Sequence, residues 1–133
     1  MLDDQLVERN LDLDQAAAEI AARRQRWTAG GLVAGPLTWR DEAAAWPQPL
    51  EEDRSRVEDP DSVGICITGP ADAELSVVLF RGGWADADFL ASLADEVVSE
   101  AADVRSAQVF GELLDDYVFR AFGLSRPGLS SAP

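Results

Sequence analysis

The chain has 133 residues and a formal charge of −14, with 25 Asp and Glu set against 11 basic residues. Every basic residue is an arginine, and the absence of His and Lys removes Ser-His-Asp and Cys-His machinery, His-containing zinc sites, Schiff-base lysines and the P-loop lysine. The acidic balance also argues against nucleic acid and anionic membrane as partners, because both select a basic face.

Asp12-Leu13-Asp14-Gln15 reads as a capped helix start, with Asp12 as N-cap and Gln15 returning to it. Leu13, Ala16, Ala17, Ile20, Arg24 and Trp27 then share one face at helical spacing, with Arg24 placed to bury its stem and reach a carboxylate. Arg23, Arg24 and Arg26 suit the last turn, and Gly30-Gly31 ends the helix. Residues 1–11 read either as an extension of this helix or as a loosely held arm. Thr38-Trp39-Arg40-Asp41 resembles a second capped start, giving a short helix through Ala43-Ala44-Ala45 that Pro47 stops, with Trp39 and Trp46 on one face.

Glu51–Pro60 is a charged connector. The clearest strand signal follows: Val63–Thr68, a turn at Gly69-Pro70-Ala71-Asp72, and Glu74–Arg81, ended by Gly82-Gly83. Both faces of the second run are largely apolar, which predicts a central strand covered on both sides. Cys66, the single cysteine, lies in this apolar stretch and reads as a small buried hydrophobe with an unreactive thiol. Trp84 beside the strand reads as a lid over the core.

Residues 86–104 fit two readings. Leu90, Leu93, Val97, Ala101 and Val104 make a helical stripe, preferred because Ala, Ser and Glu dominate; a strand over Glu96–Val104 pairing back onto Glu74–Arg81 is the other. The last element is a helix from the Ser106 cap through Phe122, with Phe110, Leu113, Leu114, Tyr117, Val118 and Ala121 inward and Gly123 as its stop. Residues 124–133 are expected to be a flexible tail. These elements predict one α+β domain over residues 1–123, a small antiparallel sheet packed against N-terminal and C-terminal helices.

Carboxylates are the chemistry that remains. Asp86 and Asp88, two apart, could converge on a divalent cation, but no third ligand at fixed spacing supports them, and they serve equally as the cap and first turn of a helix. No catalytic residue, metal or cofactor is expected, and the chain is not expected to be an enzyme. Binding is better supported. On the last helix Phe119 falls opposite the core face, flanked by Glu112, Asp115 and Asp116, an aromatic anchor among acids that suits a basic partner. Trp84 with Asp86 and Asp88 is the second candidate contact. Residues 1–57 hold 11 acids and 7 arginines, a net of −4, whereas residues 58–133 hold 14 and 4, a net of −10, so attraction for a cationic partner belongs to the second half.

The Ala/Arg-rich capped helix, the Trp/Pro connector, the strand pair ending in LFRGGWADADF and the helix SAQVFGELLDDYVFRAFG resemble small acidic proteins of high-GC actinobacteria, including immunity proteins that neutralise polymorphic toxins. The likeness spans residues 60–123 and assigns no individual residue a role. It implies a cytoplasmic protein that binds a toxin domain tightly and blocks its active site; the charge makes a basic toxin domain the expected partner, and the chain is expected to be a monomer or homodimer. A secretion or folding chaperone that binds a partner segment is the alternative, and a carboxylate-dependent metal enzyme a third. No run is apolar and long enough to cross a membrane.

Overall fold

Asp12 Oδ1 accepts the backbone N–H groups of Asp14 (3.0 Å) and Gln15 (3.1 Å), two donors that a helix start leaves without partners. From that cap, helix α1 runs over Leu13–Ala29 and closes on Gly30. The computed structural model describes residues 10–91 and 96–125, so most of the expected arm (1–11) and tail (124–133) lies outside the described residues. Leu11 and Leu124, within them, pack against the core. Leu13, Ala16, Ile20 and Trp27 of the predicted stripe are buried. Arg24 reaches the carbonyl oxygens of Ala34 (3.4 Å) and Gly35 (2.9 Å) instead of a carboxylate, which ties the helix to the strand that follows.

Seven antiparallel strands form one sheet: β1 (Val33–Ala34), β2 (Thr38–Asp41), β3 (Leu50–Glu51), β4 (Pro60–Thr68), β5 (Glu74–Phe80), β6 (Trp84–Leu90) and β7 (Val98–Asp103). Their order is β3-β2-β4-β5-β6-β7, with β1 paired to the far end of β4. Helix α2 (Ala107–Phe122) starts where Ser106 accepts the Val109 N–H at 3.1 Å and ends at Gly123, at φ 76°. Both helices touch each other and lie on the same side of the sheet. They cover Val63, Ile65 and Ile67 of β4, Leu75, Val77 and Leu79 of β5, and Ala85 and Ala87 of β6, in one continuous core with Phe110, Leu114, Tyr117 and Val118 of α2. The chain is an α+β domain built as the terminal helices and the central hairpin predict.

Three expectations are corrected. Thr38–Asp41 is a strand, and Ala43–Ala45 lies in a turn and bend, not a helix. Alternation decides it: Trp39 enters the core while Thr38 and Arg40 face away, and Trp46 is 79% exposed, so the two tryptophans share no face. Asp41, read as a first-turn residue, instead accepts the N–H groups of Glu58, Asp59 and Ala43, all at 3.0 Å. Those backbone donors, Glu58 first, hold its carboxyl below the usual Asp range and pin the connector to β2. Trp84–Leu90 and Val98–Asp103 are strands where a helix over residues 86–104 was preferred, and β7 pairs with β6, not with β5. Ala85, Ala87 and Phe89 alternate inward against Trp84, Asp86 and Asp88, a period of two that the ladders on both sides enforce over the weak strand propensity of Ala and Asp. Finally, β5 is covered on one side only: Leu75, Val77 and Leu79 are buried, and Glu74, Ser76, Val78 and Phe80 are half-buried on the other.

A polar clasp joins the helices within the core layer. Arg23 grips Asp115 through two bonds, Nε to Oδ1 at 2.8 Å and Nη2 to Oδ2 at 3.1 Å, and its Nη1 reaches the carbonyl (2.9 Å) and carboxylate (2.8 Å) of Glu19. Gly111 makes room for it, since a Cβ there would stand 2.8 Å from Arg23 Nη2. The Asp115 side chain is only 9% exposed. Asp115→Ala is expected to lower stability by about 1–3 kcal/mol, because it removes two charge-assisted bonds from a half-buried guanidinium that keeps only Glu19; chemical denaturation measures it, and a change near zero would mean the clasp contributes nothing.

The β4–β5 connection offers the opposite sign. Ala73 N–H bonds the Pro70 carbonyl at 3.2 Å across Ala71 (φ 60°) and Asp72 (φ 63°), the left-handed pair of a type I′ turn. Ala71 is unsuited to it, and Asp72 is less suited than glycine. Replacing them with Asn at 71 and Gly at 72 is expected to stabilise the chain by about 1 kcal/mol, read as a higher melting temperature; a lower one would refute the turn assignment.

Candidate functional site

Neither described helix packs on the sheet face opposite the core, and register lays that face out in rows. The first row runs Leu50, Arg40, Ser62, Phe80, Trp84 and Asp103 across β3-β2-β4-β5-β6-β7. The second runs Thr38, Gly64, Val78, Asp86 and Ala101, and the third Cys66, Ser76, Asp88 and Ser99. Glu74 and Leu90 begin the fourth. Side chains in one row stand on one face, so the pleat alone gathers these residues.

Trp84 is corrected from a lid to a surface group. Its indole is 45% exposed and stacks on Phe80 with centroids 4.8 Å apart and planes 16° from parallel. Asp86 and Asp88 follow it on β6, both exposed. Ser99 Oγ donates to Asp88 Oδ1 at 2.7 Å, and with Glu100 and Ala101 these two aspartates line a shallow open depression of about 430 Å³. A second hollow of about 350 Å³, lined by Pro36, Thr38, Leu50, Gly64 and Val78 among others, lies toward β2 and β3. Among the described residues no group of three or more Cys, His, Asp or Glu is arranged to hold a metal ion.

Cys66 is also on this face, exposed, because its neighbours Ile65 and Ile67 take the core side. The expectation of a buried residue is overturned by the strand's alternation. Its thiol donates to Glu74 Oε2 at 3.2 Å. Desolvation against the sheet, with the Glu74 carboxylate, pushes the thiol pKa up to about 11.

The second predicted contact, on α2, comes apart. Phe119 is 49% exposed and Glu112 is exposed beside it, on the helix layer. Asp115 is not in a surface ring: it turns into the α1 clasp, with Arg26 3.5 Å away as well. Asp116 lies 3.6 Å from Arg120, which also binds Glu100 and covers the Phe89 ring at 4.7 Å. The structure therefore unites Trp84, Asp86 and Asp88, and places Phe119 and Glu112 on the other side of the sheet. Phe80, Glu74, Val78 and Arg40 escaped the sequence reading. The alternation of ELSVVLF, taken as evidence for two covered faces, was the signal for Glu74, Val78 and Phe80.

Arginine placement completes the electrostatics. Among the described residues every arginine except Arg40 meets a carboxylate or carbonyl oxygen: Arg23 and Arg26 in the clasp, Arg24 on β1, Arg54 on Asp14, Arg56 on Asp53, Arg81 on Asp59, Arg105 on Asp103, Arg120 on Glu100. None of these cations reaches Asp86 or Asp88. Comparison with protein-family models, with curated proteins and with solved structures found no match. Among the described residues no helix is long and apolar enough to cross a membrane.

One chemical consequence is direct. Glu74→Gln removes a neighbouring negative charge, so the Cys66 pKa falls toward the ordinary 9.0 and the thiolate fraction rises. Iodoacetamide at mildly alkaline pH is expected to alkylate the variant several-fold faster, short of a free thiol's rate because desolvation persists. An unchanged rate would show that Glu74 does not act on the sulfur.

Proposed function

We propose that this chain is a non-enzymatic protein-binding module, most concretely a cytoplasmic immunity protein that neutralises a basic toxin domain. The observation that carries the reading is the β6 side of the open face, where exposed Trp84 stands beside Asp86 and Asp88 and no arginine among the described residues contacts either acid. An aromatic that is stacked and held in place loses little freedom on binding and supplies burial; the flanking carboxylates supply complementarity and speed encounter with a cationic surface. For a toxin directed at nucleic acid, such carboxylates would take the positions of substrate phosphates and so occlude the site. The hollow beside Leu50, Pro36 and Val78 supports a second reading, a chaperone that holds an apolar segment of its client.

Co-expression with the product of a neighbouring reading frame tests the first reading, with survival of the host cell as readout. Protection and a stable complex are expected. Asp86→Lys with Asp88→Lys should lower the association rate by about tenfold or more and flatten its salt dependence, and Trp84→Ala should speed dissociation. Phe119→Ala is expected to do neither. Absence of both complex and protection refutes the toxin reading, and a complex insensitive to all three sheet substitutions refutes this face.

A further inference from the structure

The two sides of the open face differ in height and in charge. Along β4 the outward residues Ser62 and Gly64 are buried beneath their neighbours, so β4 is a valley; β5 beside it is a ridge carrying Phe80 and Val78. Beyond the valley, β2 carries Arg40, whose Nε is buried without a hydrogen-bond partner and whose guanidinium meets no carboxylate among the described residues. Beyond the ridge, β6 carries Trp84 and Asp86, which no cation among the described residues contacts. Each side lacks what the other has.

We propose that this face binds a second copy of the chain, sheet against sheet, about a two-fold axis lying along the strands between β4 and β5. Rotation about that axis sets β4 over the partner subunit's β5 and β2 over its β6, and every contact is made twice. The Phe80–Val78 ridge of each copy then lies along the Ser62–Gly64 stretch of the other. Arg40 comes over the indole of the partner subunit's Trp84, flanked by Asp86 on the same strand and Asp103 on the next, a setting suited to a planar guanidinium. Axes that lay β6 on β6 would oppose Asp86 and Asp88 to themselves; this one avoids it.

A basic partner satisfies the acidic side but sets like charge near Arg40, whereas a second copy satisfies both. Six strands about 4.8 Å apart and four rows about 6.8 Å apart give a footprint of roughly 24 by 20 Å. At about 480 Å² per copy, roughly 960 Å² in all, that lies below the usual range of stable interfaces, so a weak dimer, of tens of micromolar or more, is expected. A toxin domain seeking the same face would displace the second copy. The dimer itself does not depend on that reading and is tested on the purified chain alone.

Sedimentation equilibrium of the full chain from about 1 to 200 μM should show a monomer–dimer equilibrium in this range. Arg40→Glu and Asp86→Arg should each raise the dimer Kd at least about tenfold. An equimolar mixture of the two variants should restore association, because the mixed pair again sets opposite charges across both contacts. A chain that stays monomeric throughout overturns the proposal, as does a dimer indifferent to both substitutions. Loss in both variants with no recovery on mixing overturns it too. None of these results bears on whether a toxin is bound.

Discussion

An antiparallel sheet buries one face and leaves the other to water unless a further layer is supplied, and here both helices lie on the same side. Helix α1 contacts β1 and β4 while α2 contacts β5 and β6, so together they roof the middle of the sheet. Every apolar residue that must be buried is therefore drawn to one set of alternating positions, from Trp39 through Val63, Leu75 and Ala85. The intervening positions are released from the core. They hold the mixture of aromatic, small and acidic side chains that forms the outer face of the sheet.

The helix layer is held by charge as well as by apolar contact. The Arg23–Asp115 clasp, with Glu19 and Arg26 around it, sits between α1 and α2 at the point where Gly111 lets them approach. Arg54 performs a similar task for the connector, bonding Asp14 at 2.7 Å and lying over the Trp39 ring at 5.1 Å. That hydrogen bond holds the Asp14 carboxyl below its usual range. Arginines that fix the helices and connector are not available to the open face. The acidity of that face thus follows from where the few cations are needed structurally.

Both terminal helices and the central hairpin were readable because their signals are local: a capping Asp or Ser, a stripe at helical spacing, a glycine at the end, alternation in ELSVVLF. Strand β2 and strand β6 were not, and β7 was legible only as one of two readings. Thr38-Trp39-Arg40-Asp41 has the spacing of a helix cap, and in WADADFL the Ala and Asp residues disfavour a strand and offset Trp84 and Phe89. What decides them is pairing with β4 and β5, a non-local fact. The same limit explains the site. Trp84, Asp86 and Asp88 were legible as a group by adjacency, but their facing Phe80 and Arg40 required the register. Asp115 was misplaced because helical angle alone cannot say which flank of α2 meets α1.

Strand order across this sheet nearly follows chain order, since β4, β5, β6 and β7 form an uninterrupted meander and only β2 and β3 precede them. A gradient along the sequence is therefore converted into a gradient in space. The less acidic first 57 residues contribute the Arg40 side of the open face, and the strongly acidic remainder contributes the Asp86 and Asp88 side. A crossover fold with the same composition would have interleaved the two and erased the difference. The meander preserves it, and a face whose opposite margins carry opposite character can complement a rotated copy of itself about an axis along its strands. Simple local connections, five residues between β4 and β5 and three between β5 and β6, are in this way enough to turn an uneven charge distribution into a directional surface.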